Sequence, residues 1–549
     1  MRTATSSVSN DTIRTGARDV PGTGHNPLRT RAIVTYLFSH HRICIDGMDG
    51  EQYFIGIDLG MINSVMAFTD DTGTISIQRW DKGYTKFPSV VLLTPSRAYA
   101  GQLAIDRMFY EDRYHFENCF KRMMGTTHKQ KIYNTDYTPT ELFSMILHKM
   151  IRTFETEKGC KVEKAVLAVP ADFGDSEREA TMKAAYLAGI KEPKIINESN
   201  AAAISYCHDM NDFEGKAAIY DIGGGTFDVT VMDIRKGGFD VLSNEGSKFL
   251  GGRDWDLQLA SIIQRKVVTA AGLTSKDVDD DSDLRRHILT EAERHKIILD
   301  RVDESKGAIK VRGRHIGFTI TRAELDKATY DLVSKTIRMT SDAIEAAGLT
   351  KRDLDRIIMV GGPSITPLIR TLLEKEFPGV QITRYDPIHA VARGAALYAR
   401  SVFFADDIKV RSVLNKTFGL KMGIDGEEMV CNLLHRNVTL PRSGKVVCRP
   451  KNDDQEVLDI AVYENRADKG EESTPLTRSR LVKTFHIPLT GKISRGKTKM
   501  DIEMNADVEG LISIKVSCNG ATETCDLAKD IYLSDNEFME TMQRVRSVQ

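Results

Sequence analysis

Apolar and polar residues follow two different patterns along this chain, one before and one after about residue 411. From Tyr53 to about Arg400, short apolar segments alternate with longer segments of helical period, which is typical of an α/β architecture. The segments "YFIGIDLG" and "KAVLAVP" predict buried strands. The segment "TPTELFSMILHKMIRTFETEKG" predicts a helix with a capping box from Thr138 to Glu141 and Gly159 at its end.

Beyond Arg411 the apolar residues recur at every second position. In "KMDIEMNADVEGLISIKVSCNG" this alternation runs on both sides of a turn near Glu509 and Gly510, which predicts an antiparallel β module. The final segment, "SDNEFMETMQRVRSVQ", is long enough for one short helix.

These patterns predict five segments in the chain. Residues 1–50 show little periodicity and are interpreted as a disordered extension, or as residues that precede a natural start at Met48. The other segments are an α/β domain at 51–402, a linker at 403–414, an antiparallel β module at 415–530 and a short helix at 531–549.

Composition narrows the class of protein. A chain of 549 residues is too long for a single core, and 41% apolar with 28% charged residues is typical of a soluble globular protein. The net charge of −1 gives no reason to expect nucleic acid or an anionic membrane as a partner, and no apolar run is long enough to span a bilayer. The eight cysteines form no CxxC pair, so we expect reduced thiols and a cytoplasmic location.

Three glycine-containing turns follow apolar strands: "GIDLGMINS", "DIGGGTFD" and "VGGPS". The sequence contains neither the P-loop pattern GxxxxGK[ST] nor a GxGxxG that opens a helix. Glycine lets backbone N–H groups approach phosphate oxygens closely. Asp58, Asp221 and Asp228 would repel a phosphate unless a hydrated Mg²⁺ lay between them. Each turn alone could be a simple tight hairpin, but the set favours nucleotide binding.

The three turns, in this order, resemble the phosphate and adenosine loops of the actin-like ATPase superfamily. Within it the chain is identified as a member of the heat-shock 70 kDa (DnaK-type) chaperone family, and "KRMMG" with "YDP" suggests the HscC-like branch. The resemblance implies a two-lobed actin-like (ribonuclease H-like) nucleotide-binding ATPase domain at 51–402. It also implies an antiparallel β-sandwich at 415–530 that binds peptide, without the long helical lid of typical members. It rests on the following motifs: "GIDLGMINS", "FKRMMG", "VPADFGDSEREAT", "INESNAAAISY", "DIGGGTFDVTV" and "LGGRDWD".

The resemblance also implies roles for individual residues. The catalytic set is Lys121, Thr226, Asp228 and Glu198, and Mg²⁺ is held through water by Asp58, Glu198 and Asp221. ATP or ADP is contacted by Gly60, Met61, Ile62, Asn63, Gly223, Gly224, Gly225, Thr226, Glu293, Lys296, Gly361 and Gly362, with K⁺ as a further candidate ion. Pro170 and Arg178 form an interdomain switch, and Leu420, Leu458 and Ile460 line a peptide cleft.

Several of these residues have simpler alternative interpretations. Lys121 could belong to an ordinary surface Lys-Arg pair, and Glu198 could be a helix-terminal carboxylate. Arg178 could be a solvated helix residue, and Glu293 with Lys296 an exposed helical ion pair. The apolar β residues could simply be core.

Two departures from the family pattern affect the functional prediction. Met61 and Ile62 stand where the family has two threonines, and the linker has Val410, Val413 and Leu414 but no leucine run. We therefore expect weakened turnover and an interdomain coupling that is weak or differently built.

The predicted function is an ATP-dependent chaperone that binds extended apolar polypeptide, with a J-domain co-chaperone and a nucleotide-exchange factor as candidate partners. The alternative is a nucleotide-binding module with little or no hydrolysis that docks one protein partner. A small-molecule kinase of the same superfamily is disfavoured by the C-terminal β module.

Overall fold

The computed structural model describes residues 52–527 and 535–549, apart from residues 109, 112–113, 119, 211–212, 406–407, 425, 451, 490–492 and 496. The predicted extension at residues 1–50 lies outside the described residues. Within this part of the chain, no helix is long and apolar enough to cross a membrane.

The strands are numbered in chain order. Those before the linker are β1 (Phe54–Asp58), β2 (Asn63–Thr69), β3 (Ile75–Ile77), β4 (Phe87–Pro88), β5 (Val90–Leu93), β6 (Ala98–Ala100), β7 (His115–Asn118), β8 (Gln130–Ile132), β9 (Thr135–Tyr137), β10 (Lys164–Val169), β11 (Glu192–Asn197), β12 (Gly215–Ile222), β13 (Phe227–Arg235), β14 (Gly238–Ser247), β15 (Glu304–Val311), β16 (Arg314–Thr321), β17 (Arg356–Val360) and β18 (Gln381–Arg384). From the linker onward they are β19 (Lys409–Arg411), β20 (Thr417–Ile424), β21 (Glu427–Leu434), β22 (Arg442–Cys448), β23 (Val457–Asn465), β24 (Ser473–Pro475), β25 (Arg480–Pro488), β26 (Met500–Ala506), β27 (Ile512–Cys518) and β28 (Ala521–Asp526).

The helices are numbered in the same way. They are α1 (Gln102–Arg107), α2 (Pro139–Lys158), α3 (Asp175–Ala188), α4 (Glu198–Asp209), α5 (Gly252–Ala271), α6 (Ser275–Asp279), α7 (Ser282–Leu299), α8 (Arg322–Ala346), α9 (Pro367–Glu376), α10 (Ala390–Arg400) and α11 (Asp535–Arg546).

Two six-stranded sheets have the same topology. All their strands precede the linker except β19, which lies in it. The first has the order β11-β10-β1-β2-β3, with β4 paired to β2, and the second has the order β18-β17-β12-β13-β14-β19. In each sheet an antiparallel hairpin, β1–β2 or β12–β13, is followed by strands that join in parallel, β10–β11 or β17–β18. Equivalent hairpins therefore provide the two Asp-containing glycine turns.

Helices α4 and α10 contribute to a core together with residues from both sheets. At their crossing, a Cβ on Gly394 would lie 1.7 Å from the carbonyl oxygen of Ala201. Only glycine allows so close a helix–helix approach.

The predicted helix ends are confirmed for α2. Thr138 accepts a hydrogen bond from the Glu141 backbone N–H at 3.2 Å, and Gly159 ends the helix with φ 67°. The Glu141 side chain does not close the predicted capping box but accepts from Arg544 Nε of α11 at 2.7 Å. The C-terminal helix therefore packs on α2, where Val545 joins the core of the first sheet.

The segment after residue 414 contains two antiparallel sheets, of order β24-β21-β20-β23-β25 and β22-β26-β27-β28. Their apolar faces enclose one core, as the period-two pattern predicts. The predicted turn at Glu509 and Gly510 lies between β26 and β27. In the linker, β19 pairs in parallel with β14 and so extends the second sheet. The linker thus attaches by backbone pairing although it has no leucine run.

Candidate functional site

The first glycine turn, residues 59–62, connects β1 to β2. Asp58 ends β1, and a Cβ on Gly60 would lie 2.0 Å from the carbonyl oxygen of Asn63. The chain can make this tight turn because residue 60 has no side chain. Met61 is buried and Ile62 is half-buried.

The second turn, Gly223–Thr226, closes the equivalent hairpin of the other sheet. Asp221 and Asp228 are cross-strand partners at its base, and the Gly223 N–H donates to the Thr226 carbonyl at 2.9 Å. Helix α5 starts against this turn, since the Gly252 N–H donates to the Gly223 carbonyl at 3.0 Å.

The side chains of the first turn lie on the glycines of the second. The position of a Cβ on Gly225 is 2.0 Å from Met61 Sδ, and that of a Cβ on Gly224 is 2.9 Å from Ile62 Cδ1. The glycines therefore make room for two apolar side chains as well as exposing backbone. This contact brings together the two turns that the sequence predicted as phosphate loops.

A buried ion pair lies beside the turns. Lys121 Nζ contacts Glu198 Oε1 at 2.7 Å, and both side chains are less than 10% exposed. Lys121 is therefore not part of a surface Lys-Arg pair. Glu198 does begin α4, as the alternative interpretation expected, but its carboxylate is engaged with Lys121.

The surrounding carboxyl groups repel Glu198 and have raised pKa values. Burial, then repulsion from Glu198, raises the pKa of Asp58 to about 7. The same two causes raise the pKa of Asp221 and of Asp228 well above the usual range. Asp221 Oδ2 is buried and has no hydrogen-bond partner in the described residues. A cation bound among these groups would offset the repulsion and favour the ionised carboxylates, so the donor set fits a divalent ion.

A metal ion could also be coordinated directly by side chains. Among the described residues, no group of three or more His, Cys, Asp or Glu side chains is arranged to hold a metal ion. Contact of Asp58, Glu198 and Asp221 with Mg²⁺ through water stays a prediction; Mg²⁺ commonly keeps several waters.

The predicted ribose-contacting residues lie on α7. Lys296 pairs with Asp256 Oδ1 at 2.6 Å and donates to the Gly252 carbonyl at 3.1 Å. It is buried, so the exposed-helix interpretation does not apply to it. Glu293, one turn earlier, is half-buried. The sequence indicated Lys296 but not its partner Asp256, although "LGGRDWD" contains it.

The third glycine turn follows β17. Gly361 has φ 83°, and a Cβ there would lie 2.1 Å from the carbonyl oxygen of Ile222. Gly361 therefore packs directly on the strand that leads into the second turn, and Gly362 next to it has open space. The second and third turns therefore meet at the end of β12, and the first turn contacts the glycines of the second.

Of the predicted switch pair, Arg178 contacts the C-terminal sheets. Arg178 is buried and donates to Asn197 Oδ1 at 2.6 Å and to the Glu509 carbonyl at 3.2 Å. Burial lowers its pKa to about 10. The solvated-arginine interpretation is wrong for this residue. Pro170 directly follows β10, and its carbonyl accepts a hydrogen bond from the Phe173 N–H at 3.1 Å.

The three predicted peptide-contacting residues differ in exposure. Leu420 and Ile460 are 2% and 3% exposed and belong to the core between the C-terminal sheets. Leu458 is half-buried. Leu420 and Ile460 therefore fit the core interpretation, because a side chain that lines a cleft needs exposed surface, and Leu458 alone of the three retains some.

Arg122 is a site residue that the sequence did not single out. Its guanidinium donates to the Gly225 carbonyl at 2.8 Å and to Asp254 Oδ2 at 2.7 Å. It thereby connects the segment after β7 with the second turn and with the start of α5. Its position directly after Lys121 was the available signal.

Comparison with known proteins agrees with this geometry. A family model described as Hsp70 protein matches residues 54–547. The chain is 31% identical over 475 residues to the chaperone protein DnaK of Mycoplasma mobile, which covers 85% of this chain and 76% of that protein. The chain therefore belongs to the Hsp70 family of ATP-binding chaperones, which act in protein folding and in the stress response.

Proposed function

We propose that this protein is a chaperone that couples ATP hydrolysis to the binding and release of apolar segments of unfolded polypeptide. One observation carries the proposal: the buried Lys121–Glu198 pair adjoins two facing turns and lies near two buried aspartates, Asp221 and Asp228, whose pKa values are raised by burial and by repulsion from Glu198. A site of this kind can hold a phosphate chain and a cation together. In this view the chain has a two-lobed actin-like domain followed by a β-sandwich.

Different residues would contact the phosphates, the ribose and the metal ion. We assign the phosphates to the backbone of Gly60–Asn63 and Gly223–Thr226, and the ribose to Glu293 and Lys296, with Gly361 and Gly362 beside the nucleoside. Asp58, Glu198 and Asp221 would hold Mg²⁺ through water, and K⁺ is a second candidate ion. The bound Mg²⁺ would neutralise charge on the phosphate oxygens.

The remaining polar groups act on the attacking water. Lys121 supplies a positive charge near the terminal phosphate, while Thr226 and Asp228 orient the water. Met61 and Ile62 bring apolar side chains to a place where hydroxyl groups would donate hydrogen bonds. We therefore propose that hydrolysis is slow but present.

The C-terminal sheets are the proposed polypeptide-binding part. Extended segments would bind by strand-like backbone contacts, with Leu458 as the predicted residue that keeps surface for them. We propose Pro170 and Arg178 as the link to nucleotide state, because Arg178 donates to the Glu509 carbonyl. We further propose that the protein works with a J-domain co-chaperone and a nucleotide-exchange factor. We also propose that it belongs to the HscC-like branch and is located in the cytoplasm.

The test is single-turnover ATP hydrolysis with and without an extended apolar peptide. We expect slow turnover that peptide accelerates. Tight ATP binding without turnover in either condition would contradict the proposal and favour a passive nucleotide-binding module.

A further inference from the structure

Asp172 lies between β10 and α3 and contacts the predicted catalytic Asp228. Its backbone N–H donates to Asp228 Oδ1 at 3.0 Å, and both residues are buried. This hydrogen bond orients one oxygen of the Asp228 carboxylate. Any side chain at position 172 other than proline would leave the N–H donor in place.

The side chain of Asp172 points to the C-terminal sheets. Its Oδ1 accepts from Lys416 Nζ, directly before β20, and from Arg466 Nη2 at 2.5 Å, directly after β23. Asp172 and Lys416 are each about 10% exposed or less. Charge-assisted hydrogen bonds of this kind hold geometry firmly when they are shielded from water.

Arg466 also reaches the other side of Asp228. It donates to the carbonyl oxygen of Gly246 at 3.0 Å, and Gly246 is the cross-strand partner of Asp228 in β14. A Cβ on Gly246 would lie 2.5 Å from Asp228 Oδ1. The two cations of the C-terminal sheets therefore fix both backbone segments that border this carboxylate.

We propose that Asp172 is a positioning residue through which Lys416 and Arg466 aim the Asp228 carboxylate. The proposal rests on the role for Asp228 given under "Proposed function". When the C-terminal sheets are in place, the Asp172 carboxylate is neutralised and its backbone N–H stays on Asp228. When the cations leave, a buried carboxylate without a partner is unfavourable. The Asp172 carboxylate then moves towards water, and the backbone N–H of Asp172 moves away from the Asp228 carboxylate.

The competing explanation is that Asp172 only fastens the two parts of the chain together. A second ion pair offers a matched control, since Lys194 of β11 contacts Glu509 of the C-terminal sheets at 2.6 Å. Within the described residues, neither Lys194 nor Glu509 forms a hydrogen bond or ion pair with Asp228 or Asp172. Lys194→Met therefore weakens the same attachment at a different place.

The experiment uses the full chain with Lys416→Met, Lys416→Arg, Asp172→Asn and Lys194→Met. Hydrogen exchange of the β19 backbone amides, which pair with β14, reports attachment of the linker. Exchange of the Asp172 amide reports the hydrogen bond to Asp228. Single-turnover ATP hydrolysis and nucleotide affinity report the consequence for the site.

We expect Lys416→Met and Asp172→Asn to speed exchange of the Asp172 amide. Each should slow single turnover by about 10- to 100-fold, as a misplaced group does, with nucleotide affinity unchanged. Lys416→Arg should behave like the unchanged chain. Lys194→Met should leave both the Asp172 amide and the turnover rate unchanged, whatever it does to β19.

Two outcomes would overturn the positioning role. One is an Asp172 amide that exchanges at the same rate in Lys416→Met as in the unchanged chain. The other is a turnover loss that follows β19 exchange equally in Lys416→Met and Lys194→Met. A chain that hydrolyses no ATP at all would contradict the proposed function instead, while amide exchange would still decide whether Lys416 holds the Asp172–Asp228 contact.

Discussion

The two glycine turns close equivalent hairpins in two sheets of the same topology, yet their side chains differ completely. The second turn, Gly223–Thr226, has three glycines and a hydroxyl, so it offers mainly backbone. The first turn places Met61 and Ile62 directly on the glycines of the second. The second turn therefore exposes backbone, and the apolar side chains of the first turn cover part of that backbone.

Glycine therefore has two separate uses in this site. A backbone N–H needs an open face to reach a phosphate oxygen, and a neighbouring side chain needs the same open face to pack. At Gly224 and Gly225 the two uses compete for the same volume. We expect the balance between them to affect the rate of ATP hydrolysis at this site.

The largest effect is expected from removing the cation beside both turns. Lys121→Ala should slow single-turnover hydrolysis by about 10²-fold or more, because the site loses positive charge where negative charge develops. It also leaves the buried Glu198 carboxylate without its partner, so the melting temperature should fall. Single-turnover kinetics and thermal unfolding measure the two effects.

Lys129→Ala is the control for this substitution, since Lys129 is exposed and close in sequence. It should leave both quantities unchanged. A Lys121→Ala protein that hydrolyses ATP at the normal rate would remove the lysine from the proposed mechanism.

The second-largest effect is expected at Gly225, where the Met61 side chain packs against the glycine. Gly225→Ala puts a methyl group where Met61 Sδ lies, so Met61 must move, at an expected cost of about 1–3 kcal/mol in stability or nucleotide affinity. Adding Met61→Ala should recover most of this loss, because the clash is with that side chain. Chemical unfolding and nucleotide titration of the single and double variants measure the coupling.

Gly251→Ala is the matched control, because a Cβ there meets the backbone of Gly225 at 2.7 Å and not a side chain. Met61→Ala should not rescue it. Equal rescue of both glycine variants would show that the Met61 contact is not the cause.

Sequence reasoning predicted the α/β and period-two segments, the α2 ends and the residues that meet at the turns. These depend on local patterns, which one chain segment carries by itself. It did not predict Asp256 as the partner of Lys296, or the reach of Arg122 to Gly225 and Asp254. Such pairs join residues far apart in the chain, and nothing in either segment specifies the other.

The sequence also did not predict which of these residues are buried. Arg178 and Lys296 have the sequence surroundings of exposed helix residues but are buried, because packing from other elements covers them. Leu420 and Ile460 lie in the core for the converse reason, since period two indicates which residues share a face but not what covers that face.

A smaller effect tests whether Met61 and Ile62 slow the reaction. Met61→Thr with Ile62→Thr should raise single-turnover hydrolysis by about tenfold, because hydroxyl donors replace apolar atoms beside the second turn. Met61→Leu is the control that keeps apolar volume. If the threonine variant is no faster than the leucine variant, the apolar contact is not what limits the rate.

The smallest effect concerns how firmly the second turn is held. Arg122 donates to the Gly225 carbonyl and to both oxygens of Asp254, with about a fifth of each ion-pair side chain exposed. A lysine ammonium cannot form this planar set of bonds, so Arg122→Lys should loosen the turn and speed nucleotide release by about threefold. Stopped-flow release of a fluorescent nucleotide measures it, with Arg152→Lys in the exposed Arg152–Glu155 pair as control. A release rate that is unchanged in Arg122→Lys would mean that the contacts of the second turn with α5 are enough to hold it, and the open backbone surface would then be independent of the segment that carries Lys121.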